Sequence, residues 1–164
     1  MGGHMIRKVD DLKVCHQLIV ESFLDVNKSL GITKENCPGN SGYLTLSQLE
    51  KQVSKGLILY GYYDPDLIAC IGLMEKSHVR CKIKMLSVLP EYRNKGIGKV
   101  LMDFAETQAN EKLVLGMIYE NQKLYKWYEA LGYKVDKIKK YRGNEFNVAY
   151  MEKKLEKNIS KESI

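Results

Sequence analysis

Residues 88–98 read Val-Leu-Pro-Glu-Tyr-Arg-Asn-Lys-Gly-Ile-Gly, so an apolar run ends at a proline and two glycines precede an amphipathic stretch. Such a turn at the head of a helix suits a phosphate group, because helix N-termini expose unpaired N–H groups and carry roughly half a positive charge. Gly96 and Gly98 let the backbone approach an anion closely, and Arg93, Lys95 and Lys99 add charge. An ordinary strand-to-helix turn carries the same G-x-G. No Gly-Lys-Ser/Thr closes the loop as in a Walker motif, and Leu101 stands where a dinucleotide fingerprint has its third glycine. A second group lies downstream, with Asn121, Tyr125 and Tyr128 followed by Leu131-Gly132-Tyr133. Trp127, Tyr128 and Leu131 also fit a buried helix face.

Other reactive residues point to less. Cys15, Cys37, Cys70 and Cys81 lie far apart with no C-x-x-C pair, so neither a disulfide framework nor a zinc site is expected. Cys70 sits in an apolar run, where a free core thiol is expected. His16 follows Cys15 on a predicted helix, where adjacent residues do not face each other, and His78 reads as a surface residue in a turn. No metal is assigned. Twenty-six Lys and Arg against 20 Asp and Glu leave +6. That charge could steer the chain toward RNA, anionic lipid or a polyanionic cofactor without choosing among them.

The elements that must position these groups follow from periodicity. The 164 residues, 45% hydrophobic and 28% charged, suit one globular domain, expected over residues 5–155. Residues 1–4 (MGGH) read as a cloning remnant and 156–164 as a charged tail, fraying from Glu152. No apolar run approaches the roughly 18 residues of a membrane helix. With no export signal and free thiols, the expected location is the cytoplasm.

A short strand over 6–9 precedes a helix capped at Asp10 or Asp11, with Leu12, Cys15, Ile19, Phe23 and Val26 at helical spacing. A loop spans 28–43, and Thr45 with Gln48 forms a capping box for a helix whose apolar face is Leu46, Leu49 and Val53. Strands follow at 57–63, 67–74 and 79–89, then a helix to about Asn110, a strand at 113–118, a helix stopped by Gly132, and strands at 133–138 and 146–151. This order implies an α+β fold, a mixed and mostly antiparallel central sheet with helices on both faces.

Arg93-x-x-Gly96-x-Gly98 after a V-x-P-E-Y strand end resembles the acyl-CoA pyrophosphate loop of the GNAT N-acetyltransferase superfamily. Asn121, with Tyr128 seven residues later and then Leu131-Gly132-Tyr133, resembles that superfamily's second signature. Residues 33–38 resemble an uncharacterised bacterial branch. The resemblance implies acetyl-CoA as acetyl donor and a primary amine of a small molecule or protein as acceptor, joined by direct attack in a ternary complex. It also implies that the pantetheine arm lies between the strand ending near Val88 and the strand at 113–118. Backbone groups of Leu86, Ser87 and Val88 would pair with the arm, the Val88 N–H facing the oxyanion. Amides of Asn94, Lys95, Gly96, Ile97, Gly98 and Lys99 would hold the pyrophosphate. Asn121 would hydrogen-bond the cofactor, Tyr125 would line the groove, and Tyr128 would act as general acid.

Many superfamily members carry a carboxylate on the central strand, where this chain has Lys82 and Lys84. The base is therefore open, with Glu75 and Glu35 as carboxylates that could act through water. The two lysines fit either an acceptor bearing a carboxylate or phosphate, or a solvated strand face. Two other functions fit parts of the pattern. One is toxin-like acetylation of aminoacyl-tRNA, since residues 134–142 hold five Lys/Arg and one Asp, although edge strands also use lysine against aggregation. The other is a catalytically silent acyl-CoA-binding module. A homodimer is consistent with the resemblance, and no membrane partner is expected.

Overall fold

The computed structural model describes residues 3–156. Strand β1 (Met5–Lys8) leads into helix α1 (Leu12–Leu30), which Asp11 caps by accepting the Val14 N–H at 3.2 Å. Cys15, Leu18, Ile19 and Ser22 share one face through their three- and four-residue spacing and are buried. The helix stops at Gly31 (φ 68°) rather than at residue 28, because glycine adopts that left-handed conformation without steric cost. Helix α2 (Leu46–Ser54) begins at the expected capping box. Thr45 Oγ1 accepts the Gln48 N–H at 3.1 Å, and Gln48 Oε1 accepts the Thr45 N–H at 2.9 Å. Leu49 anchors this helix, whereas Val53, expected on the same face, is exposed.

Strands β2 (Ile58–Tyr63), β3 (Leu67–Glu75) and β4 (Arg80–Val88) form an antiparallel meander. Helix α3 (Ile97–Gln108), β5 (Lys112–Ile118), α4 (Gln122–Ala130), β6 (Lys134–Lys140) and β7 (Asn147–Lys154) complete the chain. The order in the sheet is β1-β2-β3-β4-β5-β7-β6, with β4 and β5 its parallel pair. Such a pair needs a crossover, and α3 supplies it. The expected α+β class and element order agree with this architecture.

Helices cover both faces. Leu101, Met102 and Ala105 of α3 and Tyr128 of α4 pack on Ile71, Ile83, Leu113 and Met151. On the other face Cys15, Leu18 and Ile19 of α1 and Leu49 of α2 pack on Leu59, Cys70 and Met85. All four cysteines are buried and free, Cys70 completely so. No helix among the described residues is long and apolar enough to cross a membrane.

The C-terminus corrects one expectation. Glu152, Lys153 and Lys154 are not a fraying tail but the end of β7, paired with β5. Two of these charges are paired in place: Lys112 meets Glu152 at 2.9 Å, and Lys153 meets Glu106 at 2.8 Å. Most of the expected tail, residues 157–164, and residues 1–2 lie outside the described residues.

Candidate active site

The parallel ladder between β4 and β5 is short. Arg80, Cys81 and Lys82 pair with Lys112, Leu113 and Val114, and beyond that point β4 pairs with β3 and β5 with β7. A cleft therefore opens between residues 83–88 and 115–118. A bulge in β4 helps to open it. Cys70 pairs with Ser87 and Gly72 with Lys84, so Met85 and Leu86 together oppose Ile71, and Met85 sits at φ 57°. A bulged strand bends and twists away from its former line, and a positive φ is costly for a side chain of this size. The Met85 carbonyl, turned inward, accepts Ser87 Oγ–H at 2.9 Å.

The bulge also decides which backbone groups face the cleft. The Leu89 N–H bonds Ile68 O at 3.0 Å, across toward β3. Alternation along the strand then turns the N–H groups of Val88 and Leu86 to the opposite edge, where β5 has parted. Ser87 faces β3 and is 1% exposed, so of the three expected arm-binding residues it braces the bulge while Leu86 and Val88 edge the cleft.

Because β4 and β5 are parallel, their C-terminal ends lie on one side of the sheet. The glycine turn after β4 and Asn121 after β5 thus flank the open end of the cleft. Asn94 (φ 62°) and Gly96 (φ 80°) bend the turn, with Gly96 as the N-cap of α3. The first helical hydrogen bond runs from the Val100 N–H to Gly96 O at 3.1 Å. The N–H groups of Ile97, Gly98 and Lys99 consequently have no intrahelical acceptor. A Cβ on Gly96 would meet nothing within 4 Å, so glycine is favoured there by conformation and not by lack of space, whereas one on Gly98 would sit 3.4 Å from Trp127.

The cations expected to add charge to this turn behave unequally. Arg93 Nη1 meets Asp25 at 2.6 Å, its Nη2 donates to Ser22 O at 3.0 Å, and its Nε donates to Val88 O at 3.1 Å. A planar guanidinium matches this fork of acceptors, so the side chain ties the end of β4 to α1 instead of reaching the turn. Lys99 pairs with Asp103 at 2.9 Å on the exposed face of α3, and Lys95 lies 5.6 Å from the Tyr92 ring.

On α4, Asn121 caps the helix by accepting the Leu124 N–H at 3.2 Å, which leaves its side-chain NH2 for an external acceptor. Tyr125 stacks edge-on against Tyr119 with 5.3 Å between centroids. Tyr128 is 5% exposed, wedged between Trp127 at 5.1 Å and Tyr133 at 5.8 Å. Burial pushes its phenol well above the usual tyrosine range, so it stays protonated. The Tyr133 hydroxyl is buried with no hydrogen-bond partner among the described residues.

The opposite face of the cleft holds groups that the motifs did not reveal. Lys84 Nζ donates to Gln52 Oε1 of α2 at 2.5 Å. The hydroxyls of Tyr141 and Tyr150 are hydrogen-bonded to each other. Burial, with Tyr141 beside it, pushes the Tyr150 phenol up to about 12. Strict alternation at 148, 150 and 152 was the signal that could have placed Tyr150 on this face. Gln52 and Tyr141 carry no such signal. Glu75 ends β3 in the open, and Glu35 lines a surface depression with Glu145 where the loops before α2 and β7 meet.

Three comparisons bear on this geometry. No curated protein matches the sequence. The fold is shared with PaiA N-acetyltransferase from Thermoplasma acidophilum in complex with coenzyme A, at TM-score 0.70 and 22% identity over 93% of this chain and 99% of that one. It is shared with spermidine N-acetyltransferase from Vibrio cholerae in complex with CoA and spermine, at 0.66 and 19% over 92% and 95%. It is also shared with the ribosomal-protein-S18-alanine N-acetyltransferase from Escherichia coli, at 0.70 and 12% over 94% and 96%. The model of the acetyltransferase (GNAT) family matches residues 27–133, a stretch that holds the bulged strand, the glycine turn and the segment from Asn121 to Tyr133. Sequence and cleft together therefore identify the chain as a member of the GNAT acetyltransferase family.

Proposed function

We propose that this protein is an N-acetyltransferase that moves an acetyl group from acetyl-CoA to a primary amine of a small molecule or protein, by direct attack in a ternary complex. The carrying observation is the convergence at one open end of three features: a parted parallel strand pair, a bulge that turns backbone N–H groups into the gap, and a helix start with free N–H groups. The solved neighbours named for spermidine and for a ribosomal alanine support an amine acceptor.

In this reading the amides of residues 94–99 hold the pyrophosphate, with Lys95 as the nearest free cation. The pantetheine arm lies along Leu86 and Val88, Tyr125 lines its groove, and the Asn121 NH2 donates to it. Arg93 and Ser87 act indirectly, by fixing the end of β4 and the bulge. The amine lone pair attacks the thioester carbonyl, the C–N bond forms and the C–S bond breaks. The Val88 N–H meets the negative charge that gathers on the carbonyl oxygen. Tyr128 gives its proton to the departing sulfur, and the new ammonium returns a proton through solvent. Burial keeps the phenol protonated but makes it a weaker acid, so the transfer depends on the same burial raising the basicity of the departing thiolate.

A screen of amine acceptors with acetyl-CoA, following released thiol, tests the reading. Turnover with any amine supports it. Tight acetyl-CoA binding with no turnover across the panel makes the protein a silent acyl-CoA-binding module, and no acetyl-CoA binding removes the proposal altogether.

A further inference from the structure

Lys82 and Lys84 have no part in the steps above, yet they stand at the closed end of the cleft. Lys82 is the last β4 residue paired with β5, so it stands at the apex where the strands part. Lys84 follows one pleat later, directly before the bulge. They alternate with Cys81 and Ile83, which are buried against the α3 core, so both lysines project from the other face. Each is half-buried, and neither has a carboxylate partner among the described residues. Lys84 reaches the Gln52 amide, while Glu152, two residues from Tyr150 along β7, is held by Lys112. Burial, followed by the like charges of Lys76 and Arg80 for Lys82, and of Lys82 and Lys76 for Lys84, pushes both ammonium groups below the usual lysine value.

The far wall of the same face is also prepared for an anion. On β7, Met151 and Ala149 are buried in the α3 core, so Tyr150 points to the lysine side and lies 3.3 Å from where a Cβ on Gly116 would be. Lys137 Nζ sits 5.4 Å from the Tyr150 ring and Lys139 Nζ 4.8 Å from the Tyr141 ring. The core under α1 and α2 draws sheet residues only from β2, β3 and β4, which leaves this wall open.

We propose that the acceptor amine carries an anionic group, a carboxylate or a phosphate, which binds between Lys82 and Lys84 with the Tyr141 and Tyr150 hydroxyls on its far side. Either group offers several oxygens to two ammonium donors, and such charge-assisted hydrogen bonds are the strong ones. The same two cations disfavour a protonated amine close by, so the acceptor enters as the neutral nucleophile without a carboxylate base. This inference rests on acetyl-CoA occupying the cleft as read above.

The test is calorimetry on the CoA-loaded protein with matched probes: O-phosphoethanolamine against ethanolamine, β-alanine against ethylamine, and inorganic phosphate alone. The anion-bearing member should bind at least about tenfold more tightly, roughly 1.4 kcal/mol of discrimination. Lys82→Gln and Lys84→Gln should each erase most of that preference, and Lys82→Arg should keep it. Which pair shows the preference, and whether phosphate alone competes, separates a phosphate from a carboxylate. Equal binding within both pairs, no binding by any probe, or a preference that survives the double glutamine variant overturns the inference while acetyl-CoA binds normally. Failure of the wild type to bind acetyl-CoA overturns the underlying reading as well, and is recognised by that separate titration.

Discussion

The two walls of the cleft are built on different principles. The end that faces the glycine turn is made of backbone: free N–H groups of residues 97–99, the strand edge at Leu86 and Val88, and left-handed residues at 94 and 96. The opposite face is made of side chains drawn from far apart, with Gln52 on α2, Lys82 and Lys84 on β4, Tyr141 after β6 and Tyr150 on β7. A backbone site needs a few contiguous residues with defined conformations, and it suits a ligand whose phosphates never change. A side-chain site can be rewritten one residue at a time, which suits an acceptor that differs between relatives.

Predictions can break this contrast or sharpen it. The largest effect belongs to Tyr128, the proposed general acid. Tyr128→Phe keeps the buried ring and removes only the donor, so kcat should fall by about 10²–10⁴-fold while acetyl-CoA affinity is kept. Pre-steady-state thiol release must accompany steady-state rates, since slow product release can mask a slower chemical step. Unchanged rates in both would return Tyr128 to core packing.

Next comes the turn. Gly96→Asp should weaken acetyl-CoA binding by about 100-fold, roughly 2.7 kcal/mol, while Gly96→Asn loses far less. Both side chains have open space there and tolerate a positive φ, so charge is what separates them. Equal affinities in calorimetry would move the phosphates off this turn.

Arg93→Gln tests whether that side chain belongs to the ligand or to the scaffold. Its partners predict a stability loss of about 1–2 kcal/mol, at the modest end because Arg93 and Asp25 are 28% and 45% exposed. A melting curve that does not move, with acetyl-CoA affinity down tenfold, would put Arg93 on the phosphate after all. The smallest effect is expected at Tyr133. Removing its unpartnered hydroxyl with Tyr133→Phe should leave stability within about 1 kcal/mol of wild type, on the stabilising side. A loss of more than that would reveal a partner for the hydroxyl.

Much of the donor wall was legible because its chemistry is local. The helix starting beside Gly96 depends on neighbours within a few residues, as does the capping box at Thr45 outside that wall. Errors arose where a partner distant in sequence intervened. Glu152 and Lys153 look like a charged tail until Lys112 and Glu106 are brought opposite them. Gln52 rather than Val53 takes the inner side of α2, where it meets Lys84, and the contacts of Arg93 with Asp25 and Ser22 of α1 were equally invisible in the local sequence.

The sequence by itself determined the order of elements, the α+β class and the turn that faces the cleft, since periodicity, caps and glycine conformations are properties of short segments. Tertiary structure alone decided where β4 and β5 part, which backbone edge the Met85 bulge turns toward the gap, and that Lys82, Lys84, Tyr141 and Tyr150 share one face. Those features depend on strand register, and a one-residue slip or bulge exchanges the two faces of a strand without changing its sequence.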